Sequence, residues 1–168
     1  MHQINGHNYK ILIDSREKKS TVIEYFERHN IPYEIRKLEV GDYSIAIFDG
    51  EEEIDCSQFY VIERKANLDE LIQNVARKEY RRRFYNELQY AKNMDIRLEL
   101  LIEEIDWYGN VYAGNYFSST PKRAIRAYMA EFQQRFNVAI TGIDKRYTGA
   151  YVLDRLIYFA KDYINKNL

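Results

Sequence analysis

Phe59-Tyr60-Val61-Ile62-Glu63-Arg64-Lys65-Ala66-Asn67-Leu68-Asp69 is the stretch on which the fold turns. Phe59 to Ile62 is aromatic and β-branched, the composition of a strand. Successive side chains of a strand point to opposite faces, so Glu63 and Lys65 share one face and Arg64 takes the other. Upstream stands Gly41-Asp42. A carboxylate and an ammonium at a strand end, joined by a second carboxylate from a nearby segment, can build a hydrolytic metal site. In that arrangement Asp42 and Glu63 hold a hard divalent cation through oxygen. Lys65 orients or deprotonates the attacking water, and Arg64 grips a phosphate with its planar fork. Glu-x-Lys alone describes ordinary solvated charges equally well; the specificity lies in the wider pattern.

That pattern is Gly41-Asp42, an apolar strand, Glu63-Arg64-Lys65, three residues and then Asp69. It resembles the signature of the XPF-type nucleases, a branch of the restriction-endonuclease-like superfamily. The resemblance extends to Asp14-Ser15-Arg16-Glu17, where the family often carries Asp-x-Arg-Glu at the end of its first strand. It extends also to Arg81, Arg83, Phe84, Glu87 and Leu88, which match an Arg-x-Arg-Phe-x-x-Glu-Leu pattern of bacterial and phage-like members. Eukaryotic and archaeal members carry Gly-Arg at about this point, and the glycine is absent here. The resemblance spans residues 10 to 165. It implies a Mg²⁺- or Mn²⁺-dependent endonuclease that cuts branched, flapped or junction DNA to leave a 5′ phosphate. It also implies a homodimer formed through the last two helices. Asp69 is then expected to hold Arg64 or Lys65 in place. The helix-hairpin-helix repeats and helicase region that give family members their selectivity have no counterpart in this sequence.

Composition sets the bounds. The 168 residues, 46% hydrophobic, suit a single globular nuclease domain. With 25 basic and 26 acidic residues the net charge is −1, which excludes a protein that coats DNA by charge alone. A nuclease remains compatible, because its site is acidic and only its phosphate-facing rim is basic. No apolar run approaches the ~20 residues that span a bilayer, and the N-terminus lacks a signal-peptide core. The single cysteine, Cys56, forms no internal disulfide and points to a reducing cytoplasm. It lies in a polar loop with no Cys or His at ligand spacing, which argues against zinc. The 16 tyrosines are ascribed to half-buried packing rather than to a stacking surface for bases.

Along the chain, residues 1 to 9 read as a loose lead-in and Lys10 to Asp14 as a short buried strand that could add Asp14 to the acidic site. Thr21 to Glu24 has the form of a capping box and starts a helix that Ile31-Pro32 stops. Strands follow up to Gly41 and from Tyr43 to Phe48. Asp49-Gly50 signals a hairpin, with a connection longer than two residues in which Glu51-Glu52-Glu53 form a solvated loop. A long helix is expected over about 68–92. It carries Arg77 to Arg83, the densest basic run, with Arg82 on the inward line set by Val75. Arg81, Arg82 and Arg83, with Arg16 and Arg64, are the candidate DNA contacts. A strand at 96–103 brings Glu103 or Glu104 to support the site, 107–120 reads as a loop, and a helix from Pro121, a strand at 137–141 and a closing helix at 148–165 complete the order.

The order predicts an α/β domain with a central mixed β-sheet flanked by helices. By resemblance this is a restriction-endonuclease-like core with Asp14, Asp42 and Glu63 at neighbouring strand ends. Two other readings stand beside the nuclease: a non-catalytic branched-DNA-binding subunit, and a restriction-type or RNA-acting nuclease.

Overall fold

The computed structural model describes residues 2–17 and 20–168. Its strands are β1 (Gln3–Ile4), β2 (His7–Asp14), β3 (Tyr33–Arg36), β4 (Tyr43–Asp49), β5 (Glu52–Asp55), β6 (Tyr60–Lys65), β7 (Arg97–Ile102) and β8 (Ala139–Gly142). Its helices are α1 (Thr21–Arg28), α2 (Leu68–Ala76), α3 (Lys78–Asn93), α4 (Trp107–Ala113), α5 (Lys122–Arg135) and α6 (Thr148–Asn167). The chain divides into two compact units, Met1–Ile62 with Arg146–Leu168, and Glu63–Lys145.

In the first unit β2 is central. It pairs antiparallel with β4 from Asn8↔Phe48 to Ile13↔Tyr43, antiparallel with β1, and parallel with β3 from Ile11↔Tyr33 to Asp14↔Arg36. The strand expected to run up to Gly41 stops at Arg36: β3 lies beside β2, and residues 37–42 return to β4 without strand structure. Leu38 and Val40 are nonetheless buried. Within the expected lead-in, Gln3–Ile4 and the start of β2 form a hairpin. Asn5 and Gly6 have φ of 49° and 86°, and Ile4 pairs with His7. Two residues with positive φ closing a two-residue loop fit the right-handed twist of the flanking strands, which is why Asn-Gly recurs in hairpins. A second tight hairpin replaces the expected long connection. Asp49 pairs with Glu52 across Gly50-Glu51, and Gly50 has φ 62°.

That hairpin puts Glu52 and Glu53 on a strand instead of in a solvated loop. Glu53 meets Lys10 on β2 and Arg36 on β3, each at 2.7 Å, and Arg36 also reaches Glu34 at 2.7 Å. Helix α1 is capped by Ser20, whose hydroxyl accepts the Ile23 N–H at 3.3 Å, one residue earlier than the expected box. Val22 and Phe26 face the core. Helix α6 presents Val152, Leu156, Ala160 and Ile164 as a buried stripe at helical spacing. It approaches α1 closely at Gly149, where a Cβ would stand 2.4 Å from Cβ of Tyr25. Its Phe159 ring lies 5.2 Å from that of Tyr60. Cys56 is fully buried in a short 3₁₀ turn, and burial pushes its thiol up to about 12.

In the second unit β7 and β8 run parallel, from Glu99↔Ala139 to Ile102↔Gly142. The single long helix expected over 68–92 is two helices. Arg77, at φ −100° and ψ 133°, is extended and separates α2 from α3. No proline or glycine announces the break. Arg81 Nη1 instead donates to the Val75 carbonyl at 2.9 Å, satisfying one of the groups a helix end leaves open. The break also resets the helical phase. Helix α3 buries Phe84, Leu88 and Ala91, and Arg82 is exposed rather than on the inward line. The expected loop at 107–120 contains α4, with Trp107 and Val111 buried and Gly114 at φ 77° closing it in the left-handed region. Edge-to-face packing of Phe84 on Phe132, with ring centroids 5.4 Å apart, joins α3 to α5.

Candidate active site

Asp14 ends β2 with its carboxylate wholly buried. Oδ1 accepts the Arg16 N–H at 2.9 Å and Arg16 Nε at 2.6 Å; Oδ2 accepts the Leu38 N–H at 2.7 Å and Arg16 Nη2 at 3.3 Å. Burial pushes this acid up, but the donors from Arg16 and Leu38 outweigh it and hold its pKa below the usual carboxylate value. Asp14 would reach a cation only by exchanging one of these four donors. Arg16 also donates to the Leu38 carbonyl at 3.3 Å, so acid and guanidinium together tie the end of β2 to the segment before Gly41.

Asp42 follows a glycine that cannot be replaced cheaply. Gly41 has φ 78°, and a Cβ there would lie 2.7 Å from Cβ of Val61. Both the left-handed backbone and the close approach call for glycine. The chain at Asp42 is pinned on two sides: its N–H donates to the Ile62 carbonyl at 2.9 Å and its C=O accepts the Asp14 N–H at 2.8 Å. The Gly-Asp dipeptide thus sets a half-buried carboxylate beside the end of β2.

At the end of β6 the alternation of faces is as expected. Lys65 Nζ donates to Glu63 Oε1 at 2.8 Å, and the ammonium stands 5.5 Å from the centre of the Phe84 ring. Lys65 is 7% exposed, a desolvated cation held by a carboxylate and a ring face. Arg64 points the other way and donates to Glu103 Oε2 at 3.2 Å. Oε1 of Glu103 is buried and has no hydrogen-bond partner among the described residues. The strand end is fixed by the Glu103 N–H, which donates to the Lys65 carbonyl at 2.9 Å.

Asp69, expected at Arg64 or Lys65, has one oxygen engaged elsewhere: its Oδ1 accepts the Phe117 N–H at 2.8 Å. Glu104 was weighed as a supporting acid, and it caps α2 by accepting the Leu68 N–H at 2.9 Å. Its other oxygen accepts Asn110 Nδ2 at 2.6 Å. Asn67 is the side-chain N-cap of α2, a role its position before Leu68-Asp69-Glu70 would have signalled. Of the arginine run, Arg81 is half-buried and reaches Tyr128 Oη at 3.2 Å besides the Val75 carbonyl. Arg82 and Arg83 are exposed, and Arg83 pairs with Glu87 at 3.5 Å.

The donor set suits a hard cation with few protein ligands. Among the described residues no group of three or more His, Cys, Asp or Glu side chains forms a metal cage. Mg²⁺ commonly keeps several waters and takes only one or two carboxylates, so the carboxylate of Asp42 in the first unit and that of Glu63 in the second are each of a chemistry that suits it.

XPF from Aeropyrum pernix superposes with a TM-score of 0.61 at 15% identity, covering 90% of this chain and 61% of that one. XPF from Aeropyrum pernix in complex with DNA gives 0.61 at 16% identity, covering 92% and 66%. The chain therefore spans less than two thirds of either structure. At this identity the likeness establishes the fold, the α/β restriction-endonuclease-like core expected from the sequence. No curated protein matches the chain. The family described as the ERCC4 domain matches residues 13–156, and a match over that much of the sequence makes this chain a member of the ERCC4 domain family.

Proposed function

We propose that the protein is a divalent-metal-dependent DNA endonuclease acting on branched DNA during repair, recombination or replication. The observation that carries the reading is the desolvated Lys65 ammonium held 2.8 Å from Glu63 at a strand end, with Arg64 on the opposite face. An ordinary surface ion pair has no reason to be dry, because burying two charges costs more than their attraction returns unless the site uses them.

Asp42 and Glu63 supply carboxylate oxygens to Mg²⁺ or Mn²⁺, while Asp14 acts chiefly by holding Arg16 and the chain before Gly41. What a divalent cation supplies there is Lewis-acid polarisation of the scissile phosphoryl group and a lowered pKa for water. Lys65, held in place by Glu63, donates a hydrogen bond that orients the attacking water. Arg64, and Arg16 at the end of β2, neutralise charge on the phosphate oxygens. Asp69 acts indirectly, through the loop it holds. Arg82 and Arg83 bind the DNA backbone further from the cut, and Arg81 adds its charge to that rim while bracing the helix junction. The active species is a homodimer paired through α5 and α6. We assign it to a reducing compartment, the cytoplasm, on its single buried cysteine; among the described residues no helix is long and apolar enough to cross a membrane.

Cleavage of a panel of duplex, flap, fork, junction and RNA substrates with and without Mg²⁺ tests this. The expected outcome is that branched DNA is cut only with the metal and that Asp42→Ala and Lys65→Ala cut far more slowly than the wild type. Full cutting by both variants would place the chemistry elsewhere; tight binding without any cutting would leave a DNA-binding subunit.

A further inference from the structure

Phe117 is 98% exposed, the most exposed large apolar side chain of the described chain. Full exposure of a phenyl ring forfeits roughly 1.5–3 kcal/mol of available burial, so a ring left in water on a rigid support suggests a ligand. The support is rigid. The Phe117 N–H is held by Asp69, Tyr116 Oη donates to the Thr120 carbonyl at 2.8 Å, and Ser118 Oγ lies 2.9 Å from Thr120 Oγ1. Before the ring, the Asn115 N–H donates to the Asn110 carbonyl at 2.8 Å. A mobile tip could fold its phenylalanine inward; this one is held outward.

Beside the ring lies a cavity of about 450 Å³, lined by Asp69 and Gln73 of α2 and Arg77 just beyond it, together with Phe117, Ser118 and Ser119. Its size is that of small-ligand sites, and its chemistry is mixed. Gln73 and the two serines offer both donors and acceptors, Arg77 offers a guanidinium, and Phe117 offers a π-face. Amide and hydroxyl groups suit the edge of a base, the guanidinium suits a phosphate, and the exposed ring suits the flat face of a base.

We propose that Phe117 stacks on an unpaired nucleobase of the DNA substrate over this cavity, and that Asp69 is the positioning residue that holds the loop for it. The inference rests on the nuclease reading and names its selectivity element. Paired bases are already stacked on their neighbours and offer no free face, so the contact discriminates for branches and single strands.

The experiment is equilibrium binding by fluorescence anisotropy without Mg²⁺, using a duplex and a flap whose first unpaired base is 2-aminopurine. Phe117→Ala should weaken flap binding roughly 5- to 100-fold, the range set by base–aromatic stacking, and leave duplex binding unchanged. Phe117→Trp should restore flap affinity. The 2-aminopurine quenching seen with the wild type should vanish in Phe117→Ala. It should vanish in Asp69→Ala and return in Asp69→Asn, which keeps an acceptor for the Phe117 N–H. Equal affinities of wild type and Phe117→Ala for the flap would overturn the proposal, as would equal losses on flap and duplex. Loss of self-association in sedimentation with DNA binding intact would reassign the ring to an interface between copies. If the wild type binds neither DNA, the nuclease reading itself falls; if it binds and cuts but ignores Phe117, only this inference does.

Discussion

At the residue scale, two positions separate backbone demand from chemical demand. Gly41 is required by geometry, so Gly41→Ala should destabilise the fold by about 2–5 kcal/mol, the sum of a left-handed backbone and a forced contact with Val61. A urea titration followed by far-UV circular dichroism measures it, and an unchanged midpoint would contradict the strain. Lys65 is the opposite case. Lys65→Ala should lower cleavage by roughly 10²–10³-fold, the cost of removing one preorganised donor. Single-turnover rates on a flap substrate read that loss, and the fold should survive because Phe84 and Leu88 still seal the helix behind it. Lys65→Arg should not rescue, since a planar fork cannot occupy the place of a compact ammonium.

At the element scale, the arginine run divides by role. Arg81→Ala should cost about 1–3 kcal/mol of stability, because the Val75 carbonyl and Tyr128 lose a charged donor. Arg82→Ala and Arg83→Ala should leave the melting temperature alone, weaken DNA binding across sequences, and each lower the salt slope by about 1. A melting scan and a salt series on the three variants distinguish the roles, and equal melting losses at all three would refute the division.

The same elements show what a reader of the sequence could see. The strand at 60–65, its alternating faces, the Gly-Asp turn and the buried stripe of α6 follow local rules and were legible. So were the two hairpin signals, Asn5-Gly6 and Asp49-Gly50, yet only the second was read, and its loop was judged too long because three successive glutamates look solvated. Glu51 and Glu52 are indeed exposed, but Glu53 is half-buried, because Lys10 and Arg36, distant in sequence, meet it. The break at Arg77 was not legible, because it is held by a side chain four residues on rather than by a proline or glycine. Helix α4 hid among Tyr, Gly and Asn, residues that favour loops until Trp107 and Val111 find a core. Asp69 bonds a backbone N–H forty-eight residues away, a partner no local pattern reveals.

For the whole molecule the near-neutral charge balance conceals an organised one. Lys10, Glu34, Arg36, Glu53 and Asp55 interlock across β2, β3 and β5. Hydrogen bonds from Arg36 and then Lys10 hold Glu34 down at about 2, Arg36 and Lys10 lower Glu53, and Asp14 is lowered by Arg16 and Leu38. Each acid binds its proton less tightly folded than unfolded. Their contribution to stability is therefore complete above the ordinary values, 4.5 for the two glutamates and 3.8 for Asp14, and drains away as pH falls through the lowered folded values, about 2 for Glu34. Urea midpoints should be flat from neutrality to about pH 5 and fall steeply below it, with Glu53→Gln showing a shallower decline. A midpoint indifferent to acid would mean the network carries no net stabilisation.

The anchoring of β6 sets how evolution can edit this chain. Ile62 is tied by the Asp42 N–H and Lys65 by the Glu103 N–H, so neither end of the strand is free to slide. A substitution at Val61 alters a packing volume, whereas adding or deleting one residue there turns Glu63 and Lys65 together to the face that Arg64 now takes. Relatives should vary in spelling over Tyr60, Val61 and Ile62 and scarcely at all in the length of the strand, while the turn at Gly50-Glu51 should tolerate both.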